Sequence, residues 1–263
     1  MKILHRISVN IDLEKKTILS KFGINLEEGF RTFSIDENDP KWNLIERHIL
    51  EWQAGNYIET KFSKSELEQA NYYKLDPSWH HSYPMPSHNY EYLGKTFEII
   101  NFEYKVVSNQ ITNFEITSEP KWGKNDFLQL NWVFDVFFVK SEVWEKYLLP
   151  MNIQCMPVLD YRTKKELKSI VQILPQGKTK ISDTTVLNKN ITINGNMDRY
   201  DPPSKGFFPS IEIPDKNWHF FSSKEYFGNG YSTFNSTFCS KEFYNIIKKY
   251  NLKGIDFRPV TIP

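Results

Sequence analysis

The sequence predicts an α+β fold: a mixed or antiparallel sheet with a few short helices, containing two similar strand-helix-strand units. Three observations carry that prediction. Ser141 and Ser240 each open the pattern Ser-x-x-aromatic (Trp144, Phe243), then an aliphatic (Leu148, Ile247), then Asn-aliphatic (Asn152-Ile153, Asn251-Leu252). A Ser at a helix start satisfies orphan amides, and an Asn at its end tolerates a left-handed backbone. Short apolar runs before and after each pattern have the length of strands. Aromatics reach 16%, with 20 Phe, 14 Tyr and 7 Trp, a content suited to a core of short strands.

The elements follow in order. Residues 3–11 alternate as a first strand. In Asp39–Ala54, Trp42, Ile45, Ile49 and Trp52 repeat at helical spacing, with Asp39 as cap, Pro40 in the first turn and Gly55-Asn56 beyond the end. A strand YIETKF precedes two pairs spaced for the capping box of a short helix, Ser63 with Glu66 or Ser65 with Glu68. From Asp76 to Tyr92, Pro77, Pro84 and Pro86 impose an ordered loop. Strands are expected over Thr96–Val107, Gln110–Thr117 and Leu167–Leu174, with short β character across 176–200. Asp126–Val139 reads as one strand, although Phe127, Leu130, Phe134 and Phe137 also fit a helix face. Ser222–Gly230 reads as a capped helical turn. Without a linker-like stretch, one compact domain over 1–263 is expected, with lobes 1–118 and 119–263.

Composition narrows function. A net charge of +1 disfavours a nucleic-acid surface. No apolar run approaches a membrane span, and Met1–Lys16 lacks the apolar core of a signal peptide, so a cytoplasmic, reduced setting is expected. Cys155 and Cys239 lie in apolar strand-like segments and suit buried, inert thiols. GxSxG, Walker and GxGxxG patterns are absent.

Local chemistry gathers in one loop. His80, His81 and His88 lie among Trp79, Tyr83 and Tyr90; they suit an aromatic recognition loop or, alternatively, the metal site of an enzyme. Lys121-Trp122-Gly123-Lys124 would stack on a single strand of nucleic acid or anchor a protein interface, and the neutral charge favours the latter. Asp126 with Asp135, or Glu142 with Glu145, would be an acid–base pair, against the commoner reading of caps and solvated carboxylates.

Four strings, FSKSELEQANYYKLDPSWHHSYPMP, EPKWGKNDFLQLNWVFDVFFVKSEVWEKY, SKGFFPSIEIP and KEYFGNGYSTFNSTFCSKEFYNIIKKYNLKGIDFRPV, resemble bacterial double-CxxCG-type proteins allied to polymorphic-toxin immunity proteins. The resemblance covers residues 58–263; the first 55 residues have no counterpart. The cysteine pairs of those relatives would fall near Ile99-Ile100-Asn101-Phe102 and Asn196-Met197-Asp198-Arg199, and this chain has no cysteine there. A thiolate zinc site is therefore not expected. The resemblance implies a non-enzymatic, immunity-type protein that docks on a cognate toxin. On this reading Trp79, His80, His81, Tyr83, Tyr90 and Trp122 bind the partner, with no catalytic residue, metal or cofactor. The alternatives are a metal-dependent enzyme using His80, His81 and His88, and a self-associating structural module.

Overall fold

A computed structural model describes residues 1–261. The chain divides into two compact units, Met1–Gln69 with Pro203–Phe207, and Ala70–Pro202 with Phe208–Pro263. The sequence-level division at 118/119 falls inside the second unit.

The first unit is a three-stranded antiparallel sheet with helices. Strand β1 (Lys2–Ile11) is central, between β2 (Gly29–Asp36) and β3 (Gly55–Lys61). Helix α1 (Leu13–Lys21) is capped by Asp12, which accepts the Lys15 amide at 2.9 Å. Helix α2 (Trp42–Glu51) buries Trp42, Ile45 and Ile49 against Ile7, Val9 and Ile11. Asp39 stands outside α2, where its carboxylate takes the Lys41 amide in a preceding turn. Helix α3 (Lys64–Gln69) opens with the expected box: Glu66 accepts the Ser63 amide at 2.8 Å, and the Ser63 hydroxyl accepts the Glu66 amide at 3.2 Å. The Met1 ammonium also bonds Glu66, and with Ser63 holds its carboxyl down at about 2.

The second unit starts with β4 (Tyr72–Pro77) and continues through α4 (Glu91–Thr96), β5 (Phe97–Asn101), β6 (Val106–Gln110), β7 (Glu115–Ile116), β8 (Phe127–Leu128), β9 (Phe138–Lys140), α5 (Ser141–Val143), β10 (Cys155–Asp160) and β11 (Glu166–Ile173). There follow β12 (Lys178–Thr179), β13 (Lys189–Ile193), β14 (Met197–Tyr200), β15 (Phe220–Phe227), β16 (Phe234–Ser240), α6 (Lys241–Lys249) and β17 (Ile255–Pro259). One sheet has the order β7-β10-β11-β9-β8. The other has β13-β14-β15-β16-β4-β17, with β12 beside β15, and β5-β6 is a separate hairpin. The fold is α+β and mostly sheet.

The two units anticipated in the sequence have one topology. In the first copy a hairpin (β8, β9) leads through α5 to β10, and β11 lies between β9 and β10, antiparallel to both. In the second copy a hairpin (β15, β16) leads through α6 to β17, and β4 lies between β16 and β17, antiparallel to both. Each is a strand-helix-strand unit split by an interleaved strand. The interleaved strand follows the first copy along the chain but precedes the second. Asn152 and Asn251 both adopt the left-handed conformation, with φ of 57° and 53°, so both helical segments end as their sequence indicates. The copies meet where the Asp126 and Phe127 amides donate to the Lys253 carbonyl, at 2.8 and 2.9 Å. Gly254 makes that approach possible: its φ is +108°, and a Cβ there would lie 2.0 Å from the Phe127 carbonyl oxygen.

Further expectations are corrected. Thr96–Val107 is not one strand but falls in the β5–β6 hairpin, and within Gln110–Thr117 only Gln110 at the end of β6 and Glu115–Ile116 are strand. Asp126–Val139 is not one strand: β8 and β9 pair with each other, and Gln129–Phe137 forms the loop between them. The hydrophobic pattern there reflects burial of Leu130, Val133 and Phe137 from an irregular loop. Ser222–Gly230 is not a capped helical turn, because residues 220–227 pair with β16. Phe220, Phe221 and Phe227 are fully buried on that strand, and tertiary burial outweighs the local capping signal. Ser141 does not cap: Lys140 stands at the N-cap without a side-chain bond, and α5 gives way to a wider π turn over Trp144–Leu148. Pro150 accounts for the irregular C-terminal part of this segment, since it has no amide for the Lys146 carbonyl and its ring crowds that oxygen.

Candidate functional site: an aromatic cleft

The hairpin turns of the two copies face each other. From the first copy, loop Gln129–Phe137 brings Trp132, Val133, Phe134 and Asp135. From the second, Gly228–Thr233 and the start of β16 bring Ser232, Thr233 and Phe234. The β5–β6 hairpin adds Phe97, Lys105 and Val107, and α4 adds Tyr92 and Leu93. These groups line a cleft of about 420 Å³, counting the open space at its mouth.

Each wall has a local cause. The Trp79–Tyr83 segment runs beside the start of the loop: Gln129 donates its amide to the Trp79 carbonyl, His81 to the Gln129 carbonyl, and Asn131 to the Ser82 carbonyl. The Asn131 side-chain amide adds a second bond to the Ser82 carbonyl at 2.7 Å. Trp132 then takes a left-handed φ of 69°, and its carbonyl accepts the Tyr92 hydroxyl at 2.9 Å. A bulky side chain at positive φ is a strained arrangement. Lys105 on the cleft lining and Tyr90 at its rim share that conformation.

The facing turn is held from beneath. Arg199 is buried, and its guanidinium donates to the Gly230 and Ser232 carbonyls, at 2.9 and 3.2 Å, and to Asn190 Oδ1 at 3.0 Å. Its positive charge meets carbonyl and amide oxygens, with the Tyr104 ring 5.4 Å away. Gly228 starts this turn at φ +147°, where a Cβ would strike the Ser232 carbonyl at 1.9 Å.

Asp135 is the acidic group of the cleft. One carboxylate oxygen accepts the Asn235 amide at 3.2 Å, and its backbone carbonyl accepts the Thr237 hydroxyl. Burial pushes its carboxyl above the usual range, against the smaller opposing pull of that amide and of Lys178. Tyr92 is raised too, first by burial and then by the Asp135 charge. Lys105 lies on the rim with its ammonium over the Tyr90 ring at 4.4 Å, and over Tyr231 and Phe102 at 5.7 and 5.8 Å.

The loop residues anticipated as a partner surface separate into two groups. Tyr83 and Tyr90 reach the cleft rim, their rings 4.7 and 5.0 Å from that of Trp132. Trp79, His81 and Trp122 form another stack, with Trp79 5.3 Å from His81 and 5.7 Å from Trp122. Trp79 and Trp122 pack against the Phe114–Phe138 core. His80 is exposed and forms a bridge with Gln129, while His88 is exposed and bonds the Asn89 amide. No three His, Cys, Asp or Glu side chains converge in a metal-holding group among the described residues. Asp126 bonds the Lys140 ammonium and the Lys253 amide, both at 2.9 Å, whereas Asp135 lies in the cleft. The two carboxylates therefore occupy different surroundings. Cys239 is buried and Cys155 partly so, and burial raises both thiols, Cys239 strongly.

Sequence reasoning did not connect Trp132, Phe134, Lys105, Arg199 and Phe234, which are distant along the chain. The available signal was Asp135 itself, a charge inside the apolar run Trp132–Val139. No helix among the described residues is long and apolar enough to cross a membrane. Comparison with protein-family models, curated proteins and solved structures finds no match.

Proposed function

We propose that this chain is a non-enzymatic binding protein of the immunity type, which neutralises a cognate toxin in the cytoplasm by docking on it with the aromatic rim of the cleft. The observation that carries this reading is the exposure of Tyr83 (45%), Trp132 (38%), Phe134 (45%) and Tyr231 (64%) around one opening. Large aromatics exposed together on a rigid scaffold are the usual energetic anchors of protein interfaces. The β5–β6 hairpin extends the surface with exposed Ile99, Ile100 and Phe102. The resemblance of residues 58–263 to immunity-type proteins supports the toxin as the partner. Occlusion requires shape and anchors without reactive groups, in keeping with a rim of rings.

The test is purification of the full chain from its own cells with its partner retained, followed by expression of that partner alone. A stoichiometric partner that stops growth alone and is inactive in the complex supports the reading. The doubled substitution Tyr83→Ala with Tyr231→Ala is expected to weaken the complex at least tenfold, about the effect of losing one interface anchor. A toxin that stays active in excess protein, or a complex indifferent to the double substitution, overturns it.

A further inference from the structure

The cleft combines features that suit one class of ligand. Its walls are the rings of Tyr92, Phe97, Trp132, Phe134 and Phe234, and Asp135 stands among them. Asp135 forms no ion pair with any described residue; its carboxylate accepts the Asn235 amide at 3.2 Å and feels the Lys178 charge only from beyond ion-pair distance. A half-buried carboxylate without a directly paired counter-ion is costly. At the same spacing before its Ser, the second copy carries Phe234, an apolar residue. The cost at Asp135 therefore has no origin in the shared fold. Aromatic faces attract cations, and neighbouring rings at the rim already do so, where Lys105 places its ammonium over Tyr90, Tyr231 and Phe102. The cleft is small and open at its mouth, and so suits a small group or a side-chain end.

We propose that the cleft is a binding site for an organic cation, an alkylammonium or guanidinium group seated against the Trp132, Phe134 and Phe234 rings with its charge at Asp135. The ligand supplies a directly paired counter-ion, which Lys178 does not, and the rings contribute cation–π attraction to the same charge. The proposal stands apart from the toxin-neutralising reading. Cation binding without any toxin partner would leave this site standing and remove that function, and the reverse result would do the opposite.

The test titrates the full chain with agmatine, with N-acetyl-arginine N-methylamide and with neutral N-butylurea, reading tryptophan fluorescence and amide chemical shifts. Saturable millimolar binding of a guanidinium compound is expected, about tenfold tighter than butylurea, as one charge-assisted contact allows. Asp135→Asn should remove about that factor while leaving butylurea unchanged. Trp132→Leu, at an exposed position, keeps an apolar wall, removes the π face and should weaken the cation selectively. Tighter binding of agmatine assigns the site to a free amine; tighter binding of the blocked arginine assigns it to the side chain of a polypeptide. Butylurea binding as well as agmatine, cation affinity unmoved by both substitutions, or no response at about 50 mM, beyond the weak end of such contacts, overturns the proposal.

Discussion

The first and second strand-helix-strand copies carry Ser, aromatic, aliphatic and Asn at identical spacing, and both are split by an antiparallel strand, yet their helical segments differ. Copy two has a regular nine-residue helix whose cap, Ser240, accepts the Phe243 amide. Copy one has three α residues, a π turn and a 3₁₀ turn ending at Asn152. The comparison separates two layers of information. The landmark residues at the ends set where the chain turns and which strands become neighbours. The interior, above all Pro150 where copy two has Lys249, sets how regular the helix is.

The largest expected effect breaks the contact between copies. Gly254→Ala is expected to cost about 3–5 kcal/mol, combining an unfavourable backbone conformation with overpacking against the Phe127 carbonyl. Cys155 stands at the corresponding place after Asn152, and is partly buried in ordinary strand geometry. Cys155→Ala should cost no more than about 1 kcal/mol. Urea unfolding of both variants measures the difference, and equal midpoints would remove Gly254 as the point of close approach.

The next pair exchanges the helix interiors. Lys249→Pro should cost about 3 kcal/mol and shorten α6, because it removes one intrahelical bond and crowds a carbonyl. Pro150→Lys should shift stability by less than about 1 kcal/mol, since the native strain it relieves is offset by a freer unfolded chain. Losses of similar size in both variants would show that the π turn depends on something other than Pro150.

This asymmetry also explains what the sequence reveals. Asn152, Asn251 and Ser240 are local signals, and local chemistry decides them, so their roles are legible. Ser141 carries the same signal and fails, because the helix starts one residue earlier than in copy two, with Lys140 at the N-cap and Ser141 already inside the first turn. The interleaved strands are non-local: β4 joins a copy whose other strands begin at Phe220, and no local pattern announces such pairing. The cleft is illegible for the same reason. Tyr83 and Tyr90 identify part of its rim, but Asp135, Lys105 and Phe234 meet only when the two hairpin turns face each other.

Asp135 sharpens the comparison with Phe234. Its folded carboxyl is raised by burial above the ordinary 3.8, so the folded state binds its proton more tightly than the unfolded state does. Any stabilisation from that proton is fully present below pH 3.8 and is lost as the pH rises through the raised folded value. Above that raised value the ionised group therefore costs stability. Asp135→Asn, which keeps an acceptor for the Asn235 amide, should stabilise the fold by about 1–2 kcal/mol there. The gain should vanish in acid. Thermal melts across that interval check it. A stabilising substitution that also removes cation binding is the expected signature of a group kept for its site.

The smallest effects test the caps themselves. Ser240 is buried, accepts the Phe243 amide at 3.3 Å and lies 2.9 Å from His219 Nδ1. Ser240→Ala should cost about 1 kcal/mol through the lost cap. Ser141→Ala, which breaks no capping bond, should change stability by less than about 0.5 kcal/mol. The pair is informative because the two serines are indistinguishable by local sequence pattern. If Ser141→Ala costs as much as Ser240→Ala, the first copy caps its helix in solution, and the two copies are equivalent at their N-terminal ends. If the costs separate as expected, the shared pattern specifies the turn at the Asn end in both copies and the cap in only one.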